Sequence, residues 1–403
     1  MRALVIGAGV AGSMAAHYLS SEGLKVTLVD WRPLAGVNSS IYNAGSLDEH
    51  PSFTEVRPIR AALASMIGRY SPVGVSPTVL LRKARWIARA LRVDRRLRDP
   101  LEERLLRRSL ALWDRLVAES PSLGYYSRIG LRLYGDVRSA EREARRTGGR
   151  LLGRGELLEL GFSGFEAGVE QESRWINPHV VMDEISRMLR EDGVEVLRAE
   201  ARLRASAPGV VGVADPLPGA DVYVVAAGAW TDEVCRGVGC SLGIEPARGV
   251  VVLAEREGTV PGLPALLEGL GAVVAPHLGR ALRITGYFEL VGYDANVDRR
   301  ARALLSAVGG RLRAGPLRPV EVGAGMRPCS YDQLPVVGKV PGYENLFVAT
   351  GGCRRGMTMA PLMARALVDA VMGRDLDEDL RALSPSRLME GRAPLRPRAS
   401  AVS

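Results

Sequence analysis

The sequence predicts an α/β protein in which a parallel-sheet domain is interrupted by an inserted α+β domain built on an antiparallel sheet. Three observations predict it. A glycine-rich turn lies between two short apolar runs at the start of the chain. Several β-rich runs fill residues 249–322. A final apolar strand and helix then return to the first unit. At 403 residues the chain is too long for one ordinary core, so two intertwined domains are expected.

The first element is a buried strand over Arg2–Ile6, followed at once by Gly7-Ala8-Gly9-Val10-Ala11-Gly12 and a helical stretch to Ser21. A second strand, Lys25–Val29, ends in Asp30. This order is the Rossmann-like fingerprint for a dinucleotide. Gly7 permits the tight turn, Gly9 lets the backbone approach a pyrophosphate, and Gly12 lets the helix pack closely on the sheet with its N–H groups toward the phosphates. Asp30 would accept hydrogen bonds from the ribose. The candidate contacts here are Gly7, Gly9, Val10, Ala11, Gly12, Asp30, Trp31 and Arg32.

Gly36–Leu47 is a loop of small and polar residues that can pass close to a flat cofactor ring, with Ser39, Ser40, Asn43, Ala44 and Gly45 as candidate contacts. Residues 77–119 read as helical. Within them, 82–108 carries eleven basic against four acidic residues, with Leu80, Leu81, Ala84, Ile87, Ala88 and Leu91 at helical spacing. Two readings stand: a solvated helix covering the sheet, or a surface for anionic lipid through Leu81, Trp86 and Ile87.

Asn177 and Pro178 occupy the N-cap and first position of an amphipathic helix that ends near Asp192-Gly193. Strands follow at Val194–Leu197 and about Leu203. The apolar run Asp221–Ala227 is closed by Gly228-Ala229-Trp230, which adds Leu203, Ala227, Gly228 and Trp230 to the nucleotide contacts. Gly249–Ala254, Ala272–Ala275 and Leu282–Phe288 supply the separate antiparallel sheet. The last strand is Leu346–Ala349, followed by Gly351-Gly352 and an apolar helix from about Met359 to Met372. The expected division is a discontinuous nucleotide domain (1–60, 171–245, 325–385), a substrate domain (61–170, 246–324) and a flexible tail (386–403).

Composition narrows the classes. The formal charge is +9, yet only Lys25, Lys83 and Lys339 are lysines among 54 basic residues, a ratio that reflects a GC-rich genome more than nucleic-acid binding. No nucleic-acid module accompanies the charge. Scarce Asn and Gln fit a thermophilic source. No run of about 18 apolar residues appears, so neither a membrane span nor a cleaved signal peptide is expected, and a cytoplasmic protein is. Cys235, Cys240, Cys329 and Cys353 lack metal spacing, and buried free thiols are expected. His17, His50, His179 and His277 form no metal or catalytic constellation, and no metal is expected.

Separated segments agree with one family. Asn43-Ala44-Gly45, Asp221–Trp230, Gly325-Met326-Arg327-Pro328, Asp332–Gly338, Asn345–Gly352 and Gly356–Pro361 resemble the flavoprotein amine oxidoreductases of the D-amino-acid oxidase and glycine oxidase type, most closely the D-amino-acid dehydrogenase branch. Residues from about 60 to 170 match least. The resemblance implies noncovalently bound FAD in place of NAD. Its C-terminal turn, Gly352, Arg354, Arg355, Gly356, Met357 and Thr358, would then lie at the flavin, where a helix N-terminus and a guanidinium stabilise the anion of the reduced ring. Arg354 and Arg355 read equally well as exposed turn residues.

In the resembled family the arginine of the Gly-Met-Arg-Pro segment binds the substrate carboxylate, and Arg327 occupies that place with its planar fork. Tyr287, Glu289 and Tyr331 are clamp candidates: a tyrosine hydroxyl could complete carboxylate binding, and Glu289 could attract the ammonium. Each also reads as a strand-surface or core residue. The implied reaction is oxidative deamination of a small amino acid, with electrons passed to a quinone or dye and a peripheral membrane contact at the inner face of the cell membrane. An oxygen-using glycine or sarcosine oxidase, a proline dehydrogenase and a FAD-carrying electron-transfer subunit are the alternatives.

Overall fold

In the computed structural model, which describes residues 1–34, 36, 38–47, 72–256, 261–279, 281–313 and 315–389, the strand Arg2–Ile6 runs through the middle of a six-stranded sheet. It pairs in parallel with Lys25–Asp30 on one side and Val222–Val225 on the other. Glu195–Arg198 and Leu346–Gly351 extend the sheet in parallel, and Pro335–Lys339 closes one edge antiparallel. Ala3 to Ile6 are buried, as a strand covered on both faces requires.

The helices Val10–Ser21, Arg95–Glu119, Pro178–Glu191 and Gly356–Val371 supply one side of the core, and Leu4, Ile6, Leu203 and Val225 belong to the other. Asn177 caps its helix as expected, accepting from the His179 N–H.

Among the described residues the second sheet has ten strands. Its ladder runs Leu317–Cys329, Glu245–Arg256, Ala281–Leu290, Ala272–Pro276, Ala265–Leu267, Ser127–Tyr134, Ala167–Trp175 and Ser46–Leu47, with Val73–Val75 and Arg150–Gly153 attached at the side. Most pairs are antiparallel. Ala265–Leu267 on Ser127–Tyr134 and Val73–Val75 on Ala281–Leu290 are parallel, which the strand pattern did not show.

Several expectations change. The boundaries at 171 and 325 fall inside the strands Ala167–Trp175 and Leu317–Cys329, because strands of the second sheet reach the cavity wall itself. Helix Arg95–Glu119 falls within the expected substrate domain, yet Leu105, Leu106, Leu110 and Trp113 lie in the core of the first sheet. Its Trp113 Nε1–H donates to the carbonyls of Met357 and Thr358 at 3.2 and 3.1 Å.

The 77–119 region is three helices, Pro77–Arg82, Ala84–Leu91 and Arg95–Glu119, with Ser76 and Asp94 as side-chain caps of the first and third. On the anticipated lipid face only Leu81 is free, at 81 % exposed. Trp86 is tied to the Gly243 carbonyl at 2.9 Å, and Ile87 is buried. The final helix begins at Gly356, three residues before the expected start.

Residues 386–389 are not a flexible tail. They form a helical turn with Leu388 buried, and the Arg387 Nε–H donates to Asp332 at 2.8 Å. Residues 390–403 and His50 lie outside the described residues. Cys235 and Cys240 are buried free thiols, but Cys329 and Cys353 form a disulfide. The two ends meet only because a strand terminus of one sheet abuts the glycine turn of the other, which sequence spacing does not reveal.

Candidate active site and cofactor cradle

A cavity of about 1020 Å³ lies where the parallel strands end against the second sheet. Its first part is built by the N-terminal fingerprint. Gly7 has φ +111°, and a Cβ there would sit 2.7 Å from the Ala226 carbonyl carbon. A Cβ on Gly12 would press into the Gly7 carbonyl and stand 3.0 Å from the Ala226 Cβ, so Gly12 is a packing glycine away from the wall. Gly7, Gly9, Val10 and Ala11 line the cavity.

Gly9 has no side chain to cap the helix, and although Ser40 takes the Val10 N–H, the helix N-terminus is electrostatically suited to a pyrophosphate. Asp30 accepts from the Ala8 N–H at 2.7 Å and the Arg32 N–H at 2.8 Å. Each carboxylate oxygen retains a lone pair for a ribose hydroxyl. Trp31, Arg32, Leu203, Ala227, Gly228 and Trp230 continue the wall, with the Arg32 guanidinium 4.4 Å from the Trp31 ring centroid. This cradle fits the ADP half of FAD.

The loop between the sheets supplies Ser39, Ser40, Asn43 and Ala44 to the same wall, while Gly45 turns away from it with φ +87°. Ser40 Oγ accepts from the Val10 N–H at 2.9 Å, and Ser39 Oγ donates to the Met326 carbonyl at 2.9 Å. Beneath the loop lies Arg283, only 2 % exposed. Its Nη1 donates to the carbonyls of Ile41 at 2.9 Å and Asn43 at 3.2 Å, and its Nη2 approaches His179 Nδ1 at 2.6 Å. Sequence reasoning missed Arg283. A lone arginine in the apolar run Leu282-Arg283-Ile284 was the available signal.

At the far end Arg327, Tyr287, Arg354, Arg355, Gly356 and Met357 come together on the wall. Arg327 Nη1 donates to the Tyr287 carbonyl at 3.0 Å, and no acidic side chain pairs with it among the described residues. Burial lowers its pKa to about 10. Burial, then the charges of Arg355 and Arg327, lower that of Arg354 to about 9. Both remain cations at neutral pH, and an anionic ligand would relieve their desolvation. Their guanidiniums each lie 5.9 Å from the Phe288 centroid.

Gly249 explains how Arg327 fits. A Cβ there would be 2.6 Å from the guanidinium carbon, so the absent side chain makes the space. Sequence reasoning missed this too, although a glycine inside a strand often marks such an approach.

Besides Gly12 and Gly45, four anticipated contacts lie elsewhere. Glu289 is buried and paired with Arg248 at 2.9 Å and Arg300 at 2.6 Å; on its strand the neighbouring residues Tyr287 and Phe288 line the cavity and Glu289 does not. Its charge is already balanced there, so it is not the ammonium contact. Tyr331 packs toward the C-terminal turn, its hydroxyl directed at the Arg387 carbonyl and the Arg89 guanidinium over its ring. The Thr358 side chain is buried in the helix interface, where its carbonyl accepts from Ser109 at 2.6 Å. Gly352 turns the chain with φ +72° behind the wall. No group of metal-binding side chains occurs among the described residues.

The family model described as DAO, FAD dependent oxidoreductase, matches residues 2–370. The D-amino acid dehydrogenase of Xylella fastidiosa (strain M12) is 27% identical over 427 residues, covering 98% of this chain and 97% of that protein. Among solved structures, iminodiacetate oxidase from Chelativorans sp. BNC1 superposes with a TM-score of 0.74 at 20% identity, covering 95% of this chain and 99% of that one. Glycine oxidase from Bacillus cereus ATCC 14579 gives 0.72 at 18% identity, with coverage of 94% and 99%. At these identities the two structures show a shared fold.

Proposed function

Because the chain belongs to the DAO family of FAD-dependent oxidoreductases, acting on amino groups, we propose that it oxidatively deaminates a small amino acid as a D-amino-acid dehydrogenase and passes the electrons to a quinone or dye. The observation that carries this reading is Arg327, a guanidinium on the cavity wall with no carboxylate of the described residues against it. Its fork would take the substrate carboxylate through two parallel hydrogen bonds and so orient the α-carbon.

Arg355 has Glu102 at 3.9 Å, and the N-terminus of helix Gly356–Val371 would add positive potential beside the ring. FAD, when bound, accepts the electron pair and hydrogen from the carbon bearing the nitrogen. The protein contributes orientation and electrostatics, and the released imine hydrolyses in water to a 2-oxo acid and ammonium. Preference for the D configuration rests on the D-amino acid dehydrogenase relative.

A quinone acceptor resides in lipid, and no helix among the described residues is long and apolar enough to cross a membrane. Contact would come from the outer helices of the 77–97 region on the inner face of a cell membrane. There Leu81, Leu91 and Leu97 are exposed beside Arg82, Arg85, Arg92 and Arg96. A thermophilic source agrees with the buried Cys329–Cys353 bond, since intracellular disulfides are otherwise rare.

The test is anaerobic bleaching of the flavin by a panel of D- and L-amino acids, glycine and proline, followed by air. Bleaching by D-amino acids with slow recovery in air and fast recovery with a quinone supports the proposal. Fast recovery in air makes it an oxidase, bleaching by proline alone a proline dehydrogenase, and no bleaching by any amine an electron-transfer subunit. Arg327→Lys should impair turnover while FAD content stays intact, because lysine keeps the charge but loses the fork.

A further inference from the structure

The Cys329–Cys353 disulfide joins the two segments that carry the reactive-end arginines. Cys329 ends the strand Leu317–Cys329, two residues after Arg327, and Cys353 immediately precedes Arg354. The first cysteine belongs to the second sheet, whereas the other follows the parallel-sheet strand Leu346–Gly351. The bond therefore crosses from one sheet to the other at the cavity, and Cys353 lines it.

The two halves differ in how firmly they are held. Arg327 sits in a continuous ladder, with Ala247 opposite it and Glu245 opposite Cys329. Arg354 sits in a turn in which Gly351, Gly352 and Cys353 all have positive φ, at 77°, 72° and 44°. In this turn the Cys353 N–H donates to the Pro328 carbonyl at 2.9 Å and the Arg355 N–H to the Gly352 carbonyl at 2.6 Å. Glycine-rich backbone of this kind has many alternative conformations. A covalent tie to the strand removes most of them.

We infer that the Cys329–Cys353 disulfide is a positioning element that holds Arg354 in register with Arg327, so that carboxylate affinity, and not FAD retention, depends on its oxidised state. The inference rests on the proposed amino-acid reading. Reduction by a dithiol would convert the cystine to two thiols while the dithiol becomes a disulfide, two electrons and two protons being transferred. The turn is then released and the guanidinium pair loses its spacing. FAD would be held mainly by the cradle around Gly7, Gly9 and Asp30, residues that the bond does not join.

The experiment titrates the holoenzyme with propanoate, a carboxylate that cannot be deaminated, and follows the perturbation of flavin absorbance. It compares the purified protein, the protein after dithiothreitol, the reoxidised protein and Cys353→Ala. Alkylation and mass measurement count free thiols, which should rise from the Cys235 and Cys240 pair to all four. The expected result is a Kd for propanoate at least tenfold higher in the reduced protein and in Cys353→Ala, restored on reoxidation, with unchanged FAD content.

A Kd unchanged with all four thiols alkylated overturns the inference, as do four free thiols in the protein as purified or loss of FAD on reduction. If Cys353→Ala does not fold, the reduced wild-type protein decides. Absence of any perturbation in the oxidised wild type instead overturns the amino-acid reading, a pattern distinct from the others.

Discussion

Gly249→Ala should separate substrate recognition from cofactor binding more cleanly than any change to Arg327 itself. The added Cβ would stand 2.6 Å from the guanidinium carbon of Arg327. Carbon atoms in contact settle at about 3.5–4.0 Å, so the guanidinium must move by roughly 1 Å. That motion also disturbs its 3.0 Å bond to the Tyr287 carbonyl, which fixes the plane of the fork. A misplacement of about 1 Å can lower a rate by on the order of 100-fold, or about 2.7 kcal/mol of transition-state stabilisation.

The backbone itself tolerates alanine: Gly249 pairs in register with Gly325 on one side, forms the bulge toward Ala281–Leu290 on the other, and has no positive φ. The assay is kcat/KM for the best amino acid of the bleaching panel, alongside the FAD-to-protein ratio. Gly155→Ala, where a Cβ would meet nothing within 4 Å, serves as control. A kcat/KM within threefold of wild type in a fully flavinated Gly249→Ala protein would refute the assignment of Arg327 to the carboxylate.

Asp30→Ala should weaken FAD binding by about 1.5–3 kcal/mol, the range for hydrogen bonds to a charged acceptor, because ribose contacts are lost as the Ala8 and Arg32 N–H groups lose their acceptor. Release of flavin fluorescence on dilution measures it, and an unaltered dissociation constant would remove Asp30 from the cradle. Burial, then the charges of Arg283 and His179, lower the His277 pKa from 6.5 to about 4. The unfolded chain therefore binds the extra proton first, and stability should fall as pH drops from 6.5 toward 4. Melting temperatures between pH 6.5 and 5, where most carboxylates stay ionised, should decline in the wild type and flatten in His277→Gln. Co-sedimentation with anionic vesicles should exceed that with neutral ones and fade with salt, since basic residues near such a surface contribute about 1 kcal/mol each. It should weaken in Leu81→Ser/Leu97→Ser, two side chains 81 % and 75 % exposed. Equal binding to both vesicle types would leave the 77–97 region as an ordinary solvated face.

The α/β architecture and the cofactor were legible in the sequence because their determinants are local. A turn that brings backbone against a pyrophosphate needs glycine at set offsets, and Gly7, Gly9 and Gly12 stand at those offsets between a strand and a helix. Asn177 and Pro178 announce a helix start in the same way, through groups within one turn of each other. The place of Arg327 on the cavity wall was legible through the pattern of neighbouring residues.

What only the tertiary structure decided depends on register between distant strands. Glu289 and Tyr287 are two residues apart, yet one is buried between Arg248 and Arg300 and the other lines the cavity. Strand alternation alone cannot assign them, because Tyr287 has φ +65° and the bulge between Arg248 and Val250 shifts the pairing. Gly249 makes room for a guanidinium 78 positions later in the chain, and Arg283 braces a loop some 240 positions earlier. The Cys329–Cys353 bond likewise exists because two sheets meet at the cavity. Local sequence carries the turns and caps, whose partners are a few bonds away. Space-filling, charge pairing and cross-links between sheets arise only when packing brings remote segments into contact.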